Sequence, residues 1–283
     1  MTTTSSTPAS ASASTFMPAP DPSPLHVIGP HSDPDRYAVA LLPSPRHVRV
    51  RFGGQTVADT TRAVLLYETR HLPVYYIPLA DVRQEFVVPT AHSTHCPHKG
   101  DARYWSLKVG DRESENALWN YPTPIASCPP IADLVAFYWD RVDAWYEEDE
   151  EVYVHPRDPY HRVDTVESSR HVVVSVDGVT VAQSHRPRLL FETGLPTRYY
   201  LPKLDVRMDL LEPTALHTRC PYKGIASYWS IRVHGKTYAD LVWGYPAPLV
   251  EQAKLTDLVC FYNEKVDIDV DGVRQERPVT GWS

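Results

Sequence analysis

Thr218-Arg219-Cys220-Pro221-Tyr222-Lys223-Gly224, running on through Tyr228-Trp229-Ser230, repeats the earlier stretch Thr94-His95-Cys96-Pro97-His98-Lys99-Gly100 through Tyr104-Trp105-Ser106. Between Thr94–Val109 and Thr218–Val233, 10 of 16 positions are identical, and each matched pair stands 124 residues apart. The same offset relates Arg46 to Arg170, Tyr76 to Tyr200, Asp81 to Asp205, Trp119 to Trp243 and Phe137 to Phe261. A period this long is domain-sized, far beyond the short repeats that stack into solenoids, so each copy is expected to bury a core of its own.

Working outward from that element, each copy opens on a hairpin signal. His47 to Phe52 alternates at period two and turns at Gly53-Gly54; His171 to Val176 does the same and turns at Asp177-Gly178. Both turns suit the positive φ angles of tight hairpins. Val64 to Thr69 and Arg188 to Thr193 follow as short apolar strands that run into a glutamate. The C-P-x-K-G element reads as a turn feeding the alternating strands Arg103–Val109 and Ser227–Val233. Trp119-Asn120-Tyr121-Pro122 and Trp243-Gly244-Tyr245-Pro246 come next, then closing strands at Leu134–Trp139 and Leu258–Tyr262. In the second copy, Val266 to Asp271 alternates like a half-buried edge strand. Long helical periodicity is absent. The expectation is a mainly β protein of two tandem small antiparallel β domains with a disordered N-terminal tail. The boundaries are 1–45 for a Ser/Thr/Pro/Ala-rich tail, 46–152 for the first repeat, 153–168 for a linker, 169–272 for the second repeat and 273–283 for a C-terminal tail. The acidic run Glu147-Glu148-Asp149-Glu150-Glu151 reads as a solvated segment leading into the linker.

Composition narrows the function classes. A net charge of −7 and a pI near 6.0 argue against nucleic acid as the main partner, because phosphate binding calls for clustered excess Lys and Arg. No apolar run approaches the ~18 residues of a membrane span. No Lys or Arg precedes Arg36, which disfavours a basic targeting segment. Cys96, Cys128, Cys220 and Cys260 do not make a disulfide scaffold in a chain of this length, so reduced thiols and a cytoplasmic location are expected. His95 and His98 beside Cys96 have no counterpart in the second copy, where Arg219 and Tyr222 stand. A zinc site needs four ligands, so neither a metal nor a tightly held cofactor is expected.

At the C-P-x-K-G and Y-W-S element, with Asp81-Val82-Arg83 and Asp205-Val206-Arg207 upstream and W-x-Y-P downstream, the chain resembles domain of unknown function family 427. The resemblance covers about residues 46–152 and 169–272. It implies a β-tent fold, two antiparallel sheets pinned at one edge, a shape shared with the cereblon ligand-binding domain and methionine sulfoxide reductase B. Metal-bearing proteins of that shape use paired cysteines, which this chain lacks. The second copy fits the pattern better, since Asp101 and Arg103 replace small residues after the glycine in the first.

Three sets of repeated residues carry the candidate chemistry. Cys220 and Cys96 stand close to Lys223 and Lys99, and a nearby cation favours a nucleophilic thiolate; the alternative is a small, inert, buried side chain. Lys223 with Glu192, and Lys99 with Glu68, offer proton donors and acceptors or hold a polar ligand group; equally, each Lys and Glu pair with one another to tie the turn to a strand. Tyr200, Tyr228, Trp229, Trp243 and Tyr245, with Tyr104, Trp105 and Trp119 in the first copy, are dense enough to wall an aromatic pocket or to fill the core. Alternation sends Tyr228 and Trp229 to opposite faces of their sheet. The function expected first is binding of a small organic molecule in an aromatic-lined pocket. A thiol or acid–base enzyme centred on Cys220, Lys223 and Glu192 is the alternative, and a non-catalytic interaction scaffold the third reading.

Overall fold

The computed structural model describes residues 37–283, and in it the repeat appears as two copies of one two-sheet unit. The disordered reading of residues 1–36 lies outside the described residues. The first copy runs through β1 (Val39–Pro43), β2 (Val48–Phe52), β3 (Gln55–Thr60), β4 (Val64–Glu68), β5 (Val74–Pro78) and β6 (Val87–Cys96). It continues with β7 (Gly100–Val109), β8 (Arg112–Asn120), β9 (Leu134–Phe137), β10 (Ala144–Glu147) and β11 (Glu150–Val152). The second runs through β12 (Val163–Glu167), β13 (Val172–Val176), β14 (Val179–Ser184), β15 (Arg188–Glu192), β16 (Arg198–Pro202) and β17 (Leu211–Cys220). It ends with β18 (Gly224–Val233), β19 (Lys236–Gly244), β20 (Leu258–Phe261), β21 (Asp267–Val270) and β22 (Val273–Arg274). Each copy has a seven-stranded antiparallel sheet, ordered β1-β4-β5-β9-β8-β7-β6 and β12-β15-β16-β20-β19-β18-β17, and a four-stranded one, β11-β10-β2-β3 and β22-β21-β13-β14.

The central strands of the large sheet, β4, β5 and β9 with β16 and β20, are buried on both faces and read as short apolar runs, whereas β6 and β17 at its edge are largely exposed. One face meets the small sheet: Leu65, Tyr75, Ile77, Leu107 and Phe137 pack with Val48, Val50 and Phe52. Their neighbours Leu66, Tyr76, Tyr104, Tyr121 and Ala136 form a second core on the opposite face. The second copy repeats the division, with Leu201, Ile231 and Phe261 on the inner face and Leu190, Tyr200, Tyr228, Trp243 and Tyr245 on the outer. Tyr228 and Trp229 do take opposite faces, Trp229 packing against the inner core.

Four stretches differ from the expectation. Val39–Pro43 and Val163–Glu167, which the sequence places in the tail and the linker, are strands that pair with β4 and β15. They are hidden in the sequence because they are short, only half buried and follow proline-rich stretches. The acidic run is no solvated linker but the β10–β11 hairpin, turning at Glu148, whose φ is 52°, with Glu147 buried against Arg46 at 2.6 Å. Val266 to Asp271 yields β21, which is not the sheet edge; β22, expected as part of the C-terminal tail, pairs outside it.

Candidate functional site

The C-P-x-K-G turn joins the two longest strands of each large sheet. Cys96 ends β6 and Gly100 begins β7; Cys220 ends β17 and Gly224 begins β18. The glycine is required by the backbone. Gly224 has φ +101°, and a Cβ there would sit 3.4 Å from the carbonyl oxygen of Ala247; at Gly100, with φ +104°, it would be 3.2 Å from that of Thr123. The lysine carbonyl before each glycine accepts a hydrogen bond from the loop beyond W-x-Y-P, Leu249 N–H to Lys223 at 3.1 Å and Ile125 N–H to Lys99 at 3.1 Å. A threonine two residues before the cysteine is bonded to the tyrosine hydroxyl across the hairpin, Thr218 to Tyr228 at 2.8 Å and Thr94 to Tyr104 at 2.9 Å.

So fixed, each turn aims its lysine at the glutamate that ends the facing strand. Lys223 Nζ lies 2.6 Å from Glu192 Oε2, with side chains only 9% and 7% exposed, and Lys99 bonds Glu68 Oε2 in the same way. The second oxygen of each carboxylate takes a donor from a residue two positions before the first large-sheet strand. In the second copy it is His161, whose Nε2 donates to Glu192 Oε1 at 3.0 Å while its ring stacks on Tyr222, centroids 4.3 Å apart. In the first it is Tyr37, whose hydroxyl donates to Glu68 Oε1 while its ring stacks on His98 at 3.5 Å. Burial acts upward on both carboxyls. The hydrogen bonds from Lys99 and Tyr37 at Glu68, and from His161 and Lys223 at Glu192, together with lysine charge, outweigh it and leave both below the usual carboxylate range.

The copies meet over this feature. Glu68 and Glu192 line one cavity of about 540 Å³, closed by Tyr67, His71 and Leu72 of the first copy, Leu195, Cys220 and Tyr222 of the second, and Trp282 near the C-terminus. The linker supplies His155, Asp158, Tyr160 and His161. Asp158 ties the parts together: Tyr67 donates its hydroxyl to Oδ1 at 2.8 Å, and the Asp158 N–H donates to the Tyr222 hydroxyl at 2.9 Å. Arg157 pairs with Glu150 of the first copy at 2.9 Å and approaches Glu251 of the second at 3.9 Å. Burial lowers the pKa of His155 and raises that of Tyr222 and Tyr67. A smaller cavity of about 260 Å³ shares Asp158, His161, Pro221 and Tyr222 with the first.

Of the residues singled out by sequence, the structure brings Glu68, Glu192 and Cys220 to the cavity, with Lys99 bound to Glu68 and Lys223 to Glu192. Tyr200, Tyr228, Trp243 and Tyr245 instead pack among themselves in the outer core, where Trp243 Nε1–H donates to the Tyr200 hydroxyl at 3.1 Å. Trp119 joins the matching core of the first copy with Tyr104, and Trp105 packs on its inner face. Trp229 lies under the ammonium of Lys203, 5.6 Å from its centroid. Cys96 is half buried against the first outer core and Cys220 against the second. Asp81 and Asp205 tie strand ends, accepting from Thr60 at 2.6 Å and Ser184 at 2.7 Å and pairing with Arg62 and Arg186. Residues not singled out by sequence include Tyr37, Tyr67, Asp158, Tyr160, His161 and Trp282. One signal for two of them was present: Tyr37 and His161 stand 124 residues apart, opposite His98 and Tyr222, an exchange of tyrosine for histidine at both members of the stack.

Fold and site together define a protein of two tandem two-sheet β domains, each with a buried lysine–glutamate pair behind its repeated turn. The chain belongs to the family described as Domain of unknown function (DUF427), which it matches over residues 40–148 and again over 164–272, bounds that take in nearly all of β1 and β12. No curated protein matches the chain. No helix among the described residues is long and apolar enough to cross a membrane.

Proposed function

We propose that this protein binds a small organic molecule in the cavity between its two copies. The observation that carries the reading is the cavity itself. Its volume of about 540 Å³ lies within the ~300–1,000 Å³ range of small-molecule sites, and its wall mixes rings with a few placed polar groups. The ligand is placed at the junction because the rings of Tyr200, Tyr228, Trp243 and Tyr245 are already spent on the outer core. The free thiols support a reducing, cytoplasmic setting.

The test is a fragment screen by thermal shift on the full chain, repeated on Leu195→Trp, which fills the cavity from its wall. A specific ligand at about a hundredfold its Kd adds about 2.7 kcal/mol of stability to the native protein. Hits should lose that stabilisation in Leu195→Trp; hits that persist there, or an absence of hits, would sink the reading. Cys220 lines the same cavity as Glu192 and His161, the one observation that favours the thiol-enzyme reading. Cys220→Ser discriminates the two, since binding should survive it within about threefold if the thiol is only part of the wall.

A further inference from the structure

The wall of the cavity has a charge pattern that specifies the ligand it suits. Glu68 and Glu192 line it from equivalent strand ends and Asp158 from the linker, against one guanidinium, that of Arg70. Lys99 and Lys223, which pair with the glutamates, are not part of the wall. Among the described residues each glutamate oxygen holds one hydrogen bond, Oε2 from lysine and Oε1 from Tyr37 or His161. An ionised carboxylate offers about four acceptor positions, so about half of each remain for a ligand. Asp158 holds the same number, both on one oxygen: Oδ1 accepts from the Tyr67 hydroxyl and the Tyr160 N–H, and Oδ2 carries no hydrogen bond among the described residues.

The same wall includes Tyr67, Tyr160, Tyr222 and Trp282 beside apolar residues such as Leu72 and Leu195. Aromatic faces carry negative charge and attract an ammonium or guanidinium within about 6 Å of the centroid. Trp282 already holds a cation this way, with the Arg198 guanidinium 5.5 Å from its ring centre. His155 adds no charge at neutral pH, since burial depresses its pKa and keeps it in the neutral form.

We propose that the cavity binds an organic amine, a protonated ammonium on an apolar or aromatic body, with the ammonium held by Asp158, Glu68 and Glu192 and the body against the tyrosine and tryptophan rings. This rests on the reading of the cavity as a ligand site and adds the charge class. An anionic ligand of the same shape would meet three carboxylates, and a neutral one would leave Asp158, which unlike Glu68 and Glu192 has no ion pair among the described residues, without a counter-charge.

The experiment compares three probes that share one ring system, tryptamine, tryptophol and indole-3-acetate, by titration calorimetry on the full chain near neutral pH. Tryptamine should bind at least about tenfold more tightly than either of the others, a difference of about 1.4 kcal/mol. Asp158→Asn keeps an acceptor for Tyr67 and removes the charge. Trp282→Ala removes a ring that is 44% exposed. Each should weaken tryptamine about fivefold without shifting the unfolding midpoint of the unliganded protein by more than the surface-mutation range. Equal or tighter binding of tryptophol or indole-3-acetate overturns the amine assignment while leaving the cavity a ligand site. Failure of tryptamine to bind also overturns it, and the cavity-filled Leu195→Trp screen then judges the broader reading separately.

Discussion

The two copies build the same carboxylate cradle from different residues. In the first, Tyr37 donates to Glu68 and stacks on His98; in the second, His161 donates to Glu192 and stacks on Tyr222. The tyrosine and the histidine have changed places across the stack. What both copies keep is a flat ring over a flat ring, with one polar hydrogen aimed at the carboxylate, and a phenol or an imidazole can fill either position. The lysine and the glutamate admit no such exchange, because a buried carboxylate needs a cation. A second difference concerns exposure to the cavity: the second copy presents Cys220, Pro221 and Tyr222 to it, whereas the first contributes Glu68 but not its turn.

The largest effect should come from removing the element the copies share. Lys223→Met and Lys99→Met each leave a buried carboxylate without its cation, a change that costs about 3–5 kcal/mol in comparable sites. Urea unfolding of the two variants should show losses of similar size. A loss under about 1 kcal/mol for one and the full loss for the other would show that the cradles are not energetically equivalent. Restoring an apolar partner, as in Lys223→Met with Glu192→Leu, should recover most of the stability.

A smaller effect should appear in acid. Both glutamates are held below the ordinary carboxylate value of 4.5, so the stability they contribute is present above that pH and is lost as pH falls through their lowered native values. Glu192→Gln and Glu68→Gln remove that titration. Each variant is less stable at neutral pH and should show a shallower decline below pH 4.5 than the parent in urea unfolding across a pH series. A decline as steep as the parent's in both would place the acid sensitivity elsewhere, for instance at Asp205 beside Arg186.

Much of this is legible in the repeat alone. An offset of 124 pairs the hairpins, the glutamates and the lysines, and a Lys–Glu pair repeated at two sites reads naturally as a tie. Two things escape a reading of the sequence. β1 and β12 are short strands at a sheet edge, where half burial leaves no alternation to detect, and they carry Tyr37 and His161 into place. The aromatic residues escape for the opposite reason. Tyr228, Trp243 and Tyr245 announce a pocket or a core equally well, and only the covering segment after W-x-Y-P, with Leu255 buried against them, decides for packing. The copies also fall out of step once: Val48 faces Glu147, but Val172 faces Val270, one residue short of the repeat offset. That slip puts a buried glutamate, bonded to Arg46 and the Tyr75 hydroxyl, where the second copy has a valine, and the second copy places its own buried pair at Arg198 and Glu264, 2.7 Å apart.

The exchanged stack supplies the finest test of the comparison and the smallest expected effect. Tyr37→His combined with His98→Tyr rewrites the first cradle in the residues of the second. The first copy is the right host, because Tyr222 also accepts a bond from the Asp158 N–H, and a histidine there would break an inter-copy contact as well. Each single exchange places two imidazoles or two phenols face to face and should cost about 0.5–1.5 kcal/mol, the worth of a favourable ring pair. The double variant keeps a donor to Glu68 and one ring of each kind, so it should return to within about 0.5 kcal/mol of the parent, and the cycle should show coupling of about 0.5–3 kcal/mol, as for residues in direct contact. Additive losses in the double variant would mean that each ring is held by its own surroundings, and that the mirrored arrangement in the second copy is not the reason the stack survives there.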